Sequence, residues 1–407
     1  MKDLNVLKQL FVFCSLSVIL LMADELDDIL SHNKNLMFTY DLKRNELESN
    51  KLSTSWIKPV ILGYNKNITT QFEPTEKIDT YTVSIDQPIF RSGGIYYAMK
   101  YAEAHKKTNK AEIVLQKRRM AGDAVSILFQ LKKNTLLQEK TTYQIDSDKI
   151  NIHQKREKYK AGLLDSSFLD QSILEKSQNE TSLLELKLQQ EELLQHFSLL
   201  SDKNPMALKL PKLKLISKEY YQNTNLRLQK EQAFAEEVNY QSKITFTKYM
   251  PKISLQGKYS KGDLPLIYSS FGRSDLSIKQ TYYNYGITIS MPIDMNSFSD
   301  IEASKVAKLR TKIQVADLKI AINKEYERIR NSLKILDRKI ALAKKDEEVY
   351  QNLYRLTQNL VKVGEKTSQD IDIMHNSLRI RQVDQEIYKI DKQIQLLKLY
   401  ARVENVF

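Results

Sequence analysis

The sequence predicts a mainly α protein of long antiparallel coiled-coil hairpins, with four membrane-type β-strands set between them. Three observations predict it: a scarcity of turn formers, an apolar rhythm of three and four, and segments that alternate with period two. Gly and Pro number 10 and 8 in 407 residues, far below the roughly 12% of ordinary proteins. So few turn formers leave few turns, and the elements must be long. An apolar fraction of 42% suits a folded chain rather than a disordered one.

The helices follow from where the breakers fall. Between Ser92 and Ser201 there is no Pro, and past Gly93-Gly94 only Gly122 and Gly162. From Asp294 to Phe407 there is no Pro, and Gly364 is the single glycine. These are two long helical tracts, each folding back at a Gly. Ile380, Val383, Ile387, Ile390, Ile394, Leu397 and Ala401 step alternately by three and four, a coiled-coil seam. Leu183 to Leu200, Ile322 to Ala343 and Ala121 to Leu131 keep the same rhythm. Ser297 to Val361 read as one helix is a rod of about 98 Å at ~1.5 Å per residue. A soluble coiled-coil spacer would share these helices.

The strands read differently. Tyr283, Tyr285, Ile287, Ile289, Met291 and Ile293 alternate with Asn284, Gly286, Thr288 and Ser290. Tyr81, Val83, Ile85 and Ile89 alternate with Thr80, Thr82, Ser84 and Asp86. Period two with aromatic ends and a β-branched body marks a half-buried strand. Val60 to Ile68 and Ile253 to Tyr259 are less regular but rich in the same residues. Tyr at the strand ends and a small polar opposite face suit a transmembrane β-barrel, with lipid outside and water inside. On that reading Tyr81, Val83, Ile85, Tyr283, Tyr285, Ile287, Ile289 and Met291 face lipid.

Lys2 and Lys8 precede an apolar run from Leu10 to Met22, closed by Ala23 before Asp24-Glu25. This reads as a secretory signal over 1–23; a membrane-spanning helix needs ~20 apolar residues. Cys14, the only cysteine, lies inside that run, so the exported chain is expected to hold no disulfide. Phe11-Val12-Phe13 before it is too bulky for a lipoprotein cleavage box. The 63 Lys and Arg against 50 Asp and Glu give a net charge of +13. On an exported chain that charge is a solvated helix exterior rather than a nucleic-acid footprint. No two of the five His (32, 105, 153, 196, 375) lie within a helical turn of each other. No metal site, cofactor or catalytic activity is therefore expected.

The chain reads as one unit written twice. Ile57-Lys58-Pro59-Val60-Ile61 answers Tyr249-Met250-Pro251-Lys252-Ile253, and Val83 to Ile89 answers Ile287 to Ile293. Tyr159-Lys160-Ala161-Gly162 answers Val361-Lys362-Val363-Gly364. Three matches in order at similar offset mark an internal twofold repeat. The expected first repeat is 24–200, with helix 24–55, strands 56–72 and 79–91, and helical hairpin 92–200. A linker spans 201–215. The second repeat is 216–407, with helix 216–248, strands 249–261 and 279–293, and hairpin 297–404.

In these features the sequence resembles the TolC-like outer-membrane efflux proteins, over essentially all of the mature chain. The carrying residues are Met250-Pro251-Lys252-Ile253-Ser254-Leu255, Gln87-Pro88-Ile89-Phe90-Arg91-Ser92-Gly93, and Val363-Gly364-Glu365-Lys366-Thr367-Ser368-Gln369-Asp370. The resemblance implies a homotrimer in which each subunit gives four strands to a 12-stranded barrel and its helices to a periplasmic tunnel, an α-barrel. It implies a periplasmic adaptor protein and an inner-membrane pump as partners, outer-membrane lipid around the strands, and no nucleic acid. The expected place is the outer membrane of a Gram-negative cell, extending into the periplasm. The expected role is the exit duct of a tripartite efflux or type I secretion system. The alternative is a coiled-coil adaptor of such a system, which would not need two repeated strand pairs.

The chain departs from the family pattern at Asp294-Met295-Asn296, where an aromatic residue and a Gly are usual, and in the Gly162 turn, whose Asp170 falls two places late. Asp370 matches the family's constriction acid, while Ile373 stands where its partner is usual, with Asp372 nearby. Asp370 and Asp372 are the candidate periplasmic gate, each becoming a ring of three carboxylates in a trimer. Asp370 could equally be a first-turn acid favoured by capping and the helix dipole. Gly162, Gly364 and Lys366 are the candidate turn residues.

Overall fold

The computed structural model describes residues 29–70, 76–262 and 281–403. The expected signal over 1–23 lies outside the described residues. So do 24–28, 71–75, 263–280 and 404–407, which take in the ends of the expected helix 24–55, strand 56–72, strand 279–293 and hairpin 297–404.

Helix α1 (His32–Ser53) leads into β1 (Ile61–Thr69) and β2 (Glu76–Phe90), then α2 (Gly94–Lys160) and α3 (Ser166–Ser198). The second half runs α4 (Lys218–Asn223), α5 (Leu226–Lys248), β3 (Lys252–Gly262), β4 (Thr281–Ser290), α6 (Ser297–Lys362) and α7 (Ser368–Tyr400). At 67 and 66 residues, α2 and α6 are each about 100 Å long at ~1.5 Å per residue.

The element limits differ from the expected ones for local reasons. β1 starts at Ile61 rather than 56, because Ser55 and Ile57 donate back to Leu52 and Thr54 in helix-end turns and Pro59 has no N–H to give. β3 starts at Lys252 rather than 249, because Tyr249 and Met250 still donate to Phe246 and Thr247. β4 ends at Ser290, short of 293 and before Pro292. The helix expected over 216–248 is two helices. Asn225 bridges to Val403 and the Leu226 N–H donates to the Arg402 carbonyl, so the chain end breaks the helix there.

The chain forms two compact units. Among the described residues the first takes 29–40, Ile113–Arg227 and 319–403. Its hydrogen bonds join α3 to α2, α2 to α7 and α7 to α6. Asn134 donates to the Leu186 carbonyl, Lys133 meets Asp391 and Gln382 reaches Glu347. Seam residues fill the space between helices: Ala124, Leu128, Leu131, Ile322, Ile329, Leu333, Val383 and Ile387 are buried. A Cβ on Gly122 would stand 2.7 Å from the Ala401 Cβ, so this glycine permits close helix approach and leaves α2 unbroken. The connection before α4 is tied down, Tyr400 and Tyr326 donating their hydroxyls to the Lys214 and Ile216 carbonyls.

The second unit takes Asp41–Glu112 and Leu228–Leu318. It holds a four-stranded antiparallel sheet in the order β1-β2-β3-β4. Below the strands, α1 meets α2 through Ser49 and the Ala102 carbonyl. α2 meets α5 through His105 and Glu237, and α5 meets α6 through Ser242 and Ser304.

Candidate functional site

Both hairpin turns are built the same way. Gly162 and Gly364 take left-handed φ of 71° and 80°, a region that costs other residues about 1–2 kcal/mol. The Gly162 and Leu163 N–H groups donate to the Tyr159 and Lys158 carbonyls, and those of Gly364 and Glu365 to Val361 and Leu360. This is the Schellman closure of a helix end. Three residues past each Gly, the next helix starts on a capping residue, Asp165 or Thr367.

At the second tip the cap is reciprocal. The Asp370 N–H donates to the Thr367 hydroxyl, while the Thr367 N–H donates to Asp370 Oδ2 at 2.9 Å. The other carboxylate oxygen, Oδ1, accepts from Gln154 on α2 at 3.5 Å. The Thr367 backbone N–H chiefly, then the Thr367 hydroxyl, Gln154 and the nearby Lys366 charge, hold the Asp370 carboxyl below the usual carboxylate range. Asp372, two residues on, is exposed and makes no hydrogen bond or ion pair among the described residues. Lys366 is exposed in the turn itself.

Gln154 is the last rung of a polar ladder. Lys133 meets Asp391 at 2.8 Å, Lys140 meets Asp384 at 2.6 Å, Ser147 accepts from Asn376 at 3.2 Å, and Gln154 reaches Asp370. The four α2 positions are each seven apart, so they share one helix face. Asp384 and Lys140 are mostly buried, and each supplies the other's countercharge. The sequence signal for this ladder was the heptad step of polar residues beside the apolar seam.

The first tip lacks the acid. Asp165 caps α3 by accepting from the Ser167 N–H at 2.8 Å; hydrogen bonds from Ser167 hold its carboxyl below the usual range. The position matching Asp370 is Phe168, and Leu163, 77% exposed, stands in place of Glu365. Asp170 lies exposed on α3, two residues beyond Phe168.

The sheet is the second candidate site. Directly paired residues lie on one face, and the pairs Tyr64–Tyr81, Val83–Tyr259, Tyr259–Tyr283, Gly257–Tyr285 and Leu255–Ile287 put the apolar residues together. Tyr81, Val83, Ile85, Tyr283, Tyr285, Ile287 and Ile289 are all exposed on that face, Tyr285 at 79%. Met291 is exposed too, one residue beyond β4. The other face is mostly polar, with Asn65, Thr80, Thr82, Ser84, Gln256, Lys258, Ser260, Asn284, Gly286, Thr288 and Ser290, and also carries Ile61, Ile78 and Tyr282. β1 and β4 are edges, each paired on one side among the described residues.

The outer helices of the first unit carry a second apolar row. Ile335, Leu342, Val349 and Leu356 on α6 are exposed, each seven residues from the last. Leu174, Leu184 and Leu188 on α3 are likewise exposed.

No protein-family model and no curated protein matches the sequence. Solved structures do match the fold. The outer membrane protein VceC of Vibrio cholerae superposes with a TM-score of 0.71 at 13% identity, over 94% of this chain and 96% of that one. The CmeC outer membrane channel of Campylobacter jejuni gives 0.71 at 14% identity, over 93% and 85%. The open state of the Neisseria gonorrhoeae MtrE outer membrane channel gives 0.60 at 12% identity, over 93% and 88%. The chain therefore has the fold of these TolC-type outer-membrane channels.

Proposed function

We propose that the protein is an outer-membrane exit duct, a homotrimer whose twelve strands close a barrel and whose helices form a periplasmic tunnel. The observation that carries this reading is the sheet: an exposed apolar face, a small polar face, and two open edges. In lipid, an open edge leaves backbone groups unpaired at several kcal/mol each. Four strands cannot close on themselves, and cyclic symmetry supplies the missing neighbours. The exposed heptad row of α6 and the exposed leucines of α3 support the same assembly, since each needs a neighbouring chain to cover it. The repeated element order supports descent from a doubled unit, and the run before Asp24 a signal removed on export.

In this duct the tips reached by α2, α3, α6 and α7 face the periplasm. Three copies of Asp370 and Asp372 ring the entrance, Asp370 held by its cap and Asp372 offering a free carboxylate to a cation. Lys366 flanks the ring. A periplasmic adaptor and an inner-membrane pump, of an efflux or a type I secretion system, are the partners such a duct requires. Membrane fractionation with unheated gel mobility tests the reading. A heat-modifiable trimer in the outer-membrane fraction is expected; a soluble monomer after export would overturn it.

A further inference from the structure

The apolar face of the sheet does not stay apolar to its end. Toward the end where β1 passes to β2 and β3 to β4, it carries a row of tyrosines: Tyr64, Tyr81, Tyr259 and Tyr283 on four successive strands. Tyr64 and Tyr81 pack at 5.0 Å between ring centroids. Level with this row or beyond it, on the same face, come Lys261 opposite Tyr81, Lys66 opposite Asp79, and Lys77 opposite Ile68. All three lysines are exposed, and none is held in an ion pair among the described residues. Among the described residues the one carboxylate on this face there, Asp79, accepts the Tyr64 hydroxyl at 2.9 Å.

Tyrosine rings settle at the boundary of hydrocarbon and headgroups. Two residues along a strand is about 7 Å, or about 5 Å along the membrane normal at ~45° tilt. The headgroup layer is ~5–8 Å deep on each side, so Lys66 and Lys261, one step beyond Tyr64 and Tyr259, sit among headgroups, and Lys77, two steps (~10 Å) beyond Tyr81, sits at their outer margin. Its stem can lie along the apolar face while the ammonium reaches outward. Protection of an open edge by lysine would account for Lys66 on β1 but not for Lys77 and Lys261, which lie on the inner strands.

We propose that Lys66, Lys77 and Lys261 form a docking row for the phosphate headgroups of outer-leaflet lipid, repeated three times around the barrel. The proposal rests on the exit-duct reading. Three cations against one engaged carboxylate make the row selective for anionic over zwitterionic headgroups. The test titrates the detergent-purified full chain with lipid A and with phosphatidylcholine, reading bound lipid by native mass spectrometry.

Wild type is expected to retain lipid A at about tenfold lower concentration than phosphatidylcholine, a preference weakened by added salt. The triple variant Lys66→Gln, Lys77→Gln, Lys261→Gln should lose that preference while keeping its unheated trimer band. Lys258→Gln, on the opposite face of β3, should keep it. A membrane-inserted trimer whose preference survives the triple substitution, or falls equally with Lys258→Gln, overturns the lysine row and leaves the exit duct standing. A wild-type chain that never reaches the membrane overturns both.

Discussion

At the two hairpin tips, Gly162 and Gly364 turn the chain through the same Schellman geometry, and each hands over three residues later to a capping side chain. The side chains around the two caps differ. The first tip carries Leu163 and Phe168 where the second carries Glu365 and Asp370. Asp165 accepts one backbone N–H, whereas Thr367 and Asp370 bind each other in both directions and reach α2 through Gln154. The same backbone thus serves a tip whose two helices are joined by Lys155 to the Phe168 carbonyl and the Ser172 hydroxyl, and one that is capped reciprocally and braced to α2 by Gln154. A turn needs only its glycine and a cap, so the remaining positions are free to specialise. In the sheet, by contrast, the halves agree: Val83 and Ile287 both lie on the apolar face.

Agreement in the sheet gives the largest expected effect. Ile287→Arg and Val83→Arg should each destabilise the inserted trimer by about 2–4 kcal/mol if they lie near the bilayer midplane. Thr288→Arg, on the polar face, should leave assembly intact and change conductance. Denaturant unfolding from vesicles measures the first pair; equal tolerance at Ile287 and Thr288 would contradict the assigned faces.

Agreement in the turns comes next. Gly162→Ala and Gly364→Ala should cost about 1–2 kcal/mol apiece. No atom lies within 4 Å of where either Cβ would go, so the cost is conformational and should be the same at both tips. Thermal melts that separate the two would show that packing in the assembly, not backbone, governs one turn.

Difference at the caps is smaller. Thr367→Ala should cost about 1 kcal/mol, since it removes half of a reciprocal cap. Asp165→Ala, losing a single acceptor, should cost less. Asp370→Asn should leave assembly intact but weaken block by trivalent cations added from the periplasmic side, and Asp372→Asn should add to it. Single-channel recording reads both; block unchanged in the double variant would leave these acids as helix-start residues alone.

The smallest effect is on pH. The carboxyls of Asp165 and Asp370 are held below the usual range in the folded chain. Their contribution is therefore full above about pH 4, the unfolded carboxylate value, and is lost as pH falls through the lowered folded values. Protection against hydrogen exchange, taken relative to the intrinsic rate at each pH, should fall together in acid at the starts of α3 and α7. With Asp370→Asn, only the start of α3 should keep that dependence. An α7 start that still responds would assign the acid sensitivity to another group.

Most of the architecture was legible because helices and strands write their own periods into a sequence. The three-four rhythm of Ile380 to Leu397 and the period-two run of Tyr283 to Ile289 are imposed by 3.6 and 2 residues per repeat, whatever lies opposite. A positive-φ turn likewise announces itself, since Gly162 and Gly364 stand alone between long glycine-poor runs. Asp370 was legible as a first-turn acid, because capping is decided within four residues, while the structure identified Thr367 as its reciprocal partner.

Other features needed the tertiary structure. The break between α4 and α5 depends on Val403 and Arg402, nearly 180 residues away, pairing beside Asn225 and Leu226. Gly122 looks like a helix breaker until Ala401 is found against it. The ladder from Lys133 to Gln154 lies on a face whose partner α7 is more than 200 residues on, and local pattern cannot name that partner. Periodicity fixes which side of an element is apolar because it depends only on backbone geometry. Which helix meets that side, and whether Asp370 is braced while Asp372 is left open, is decided by long-range packing.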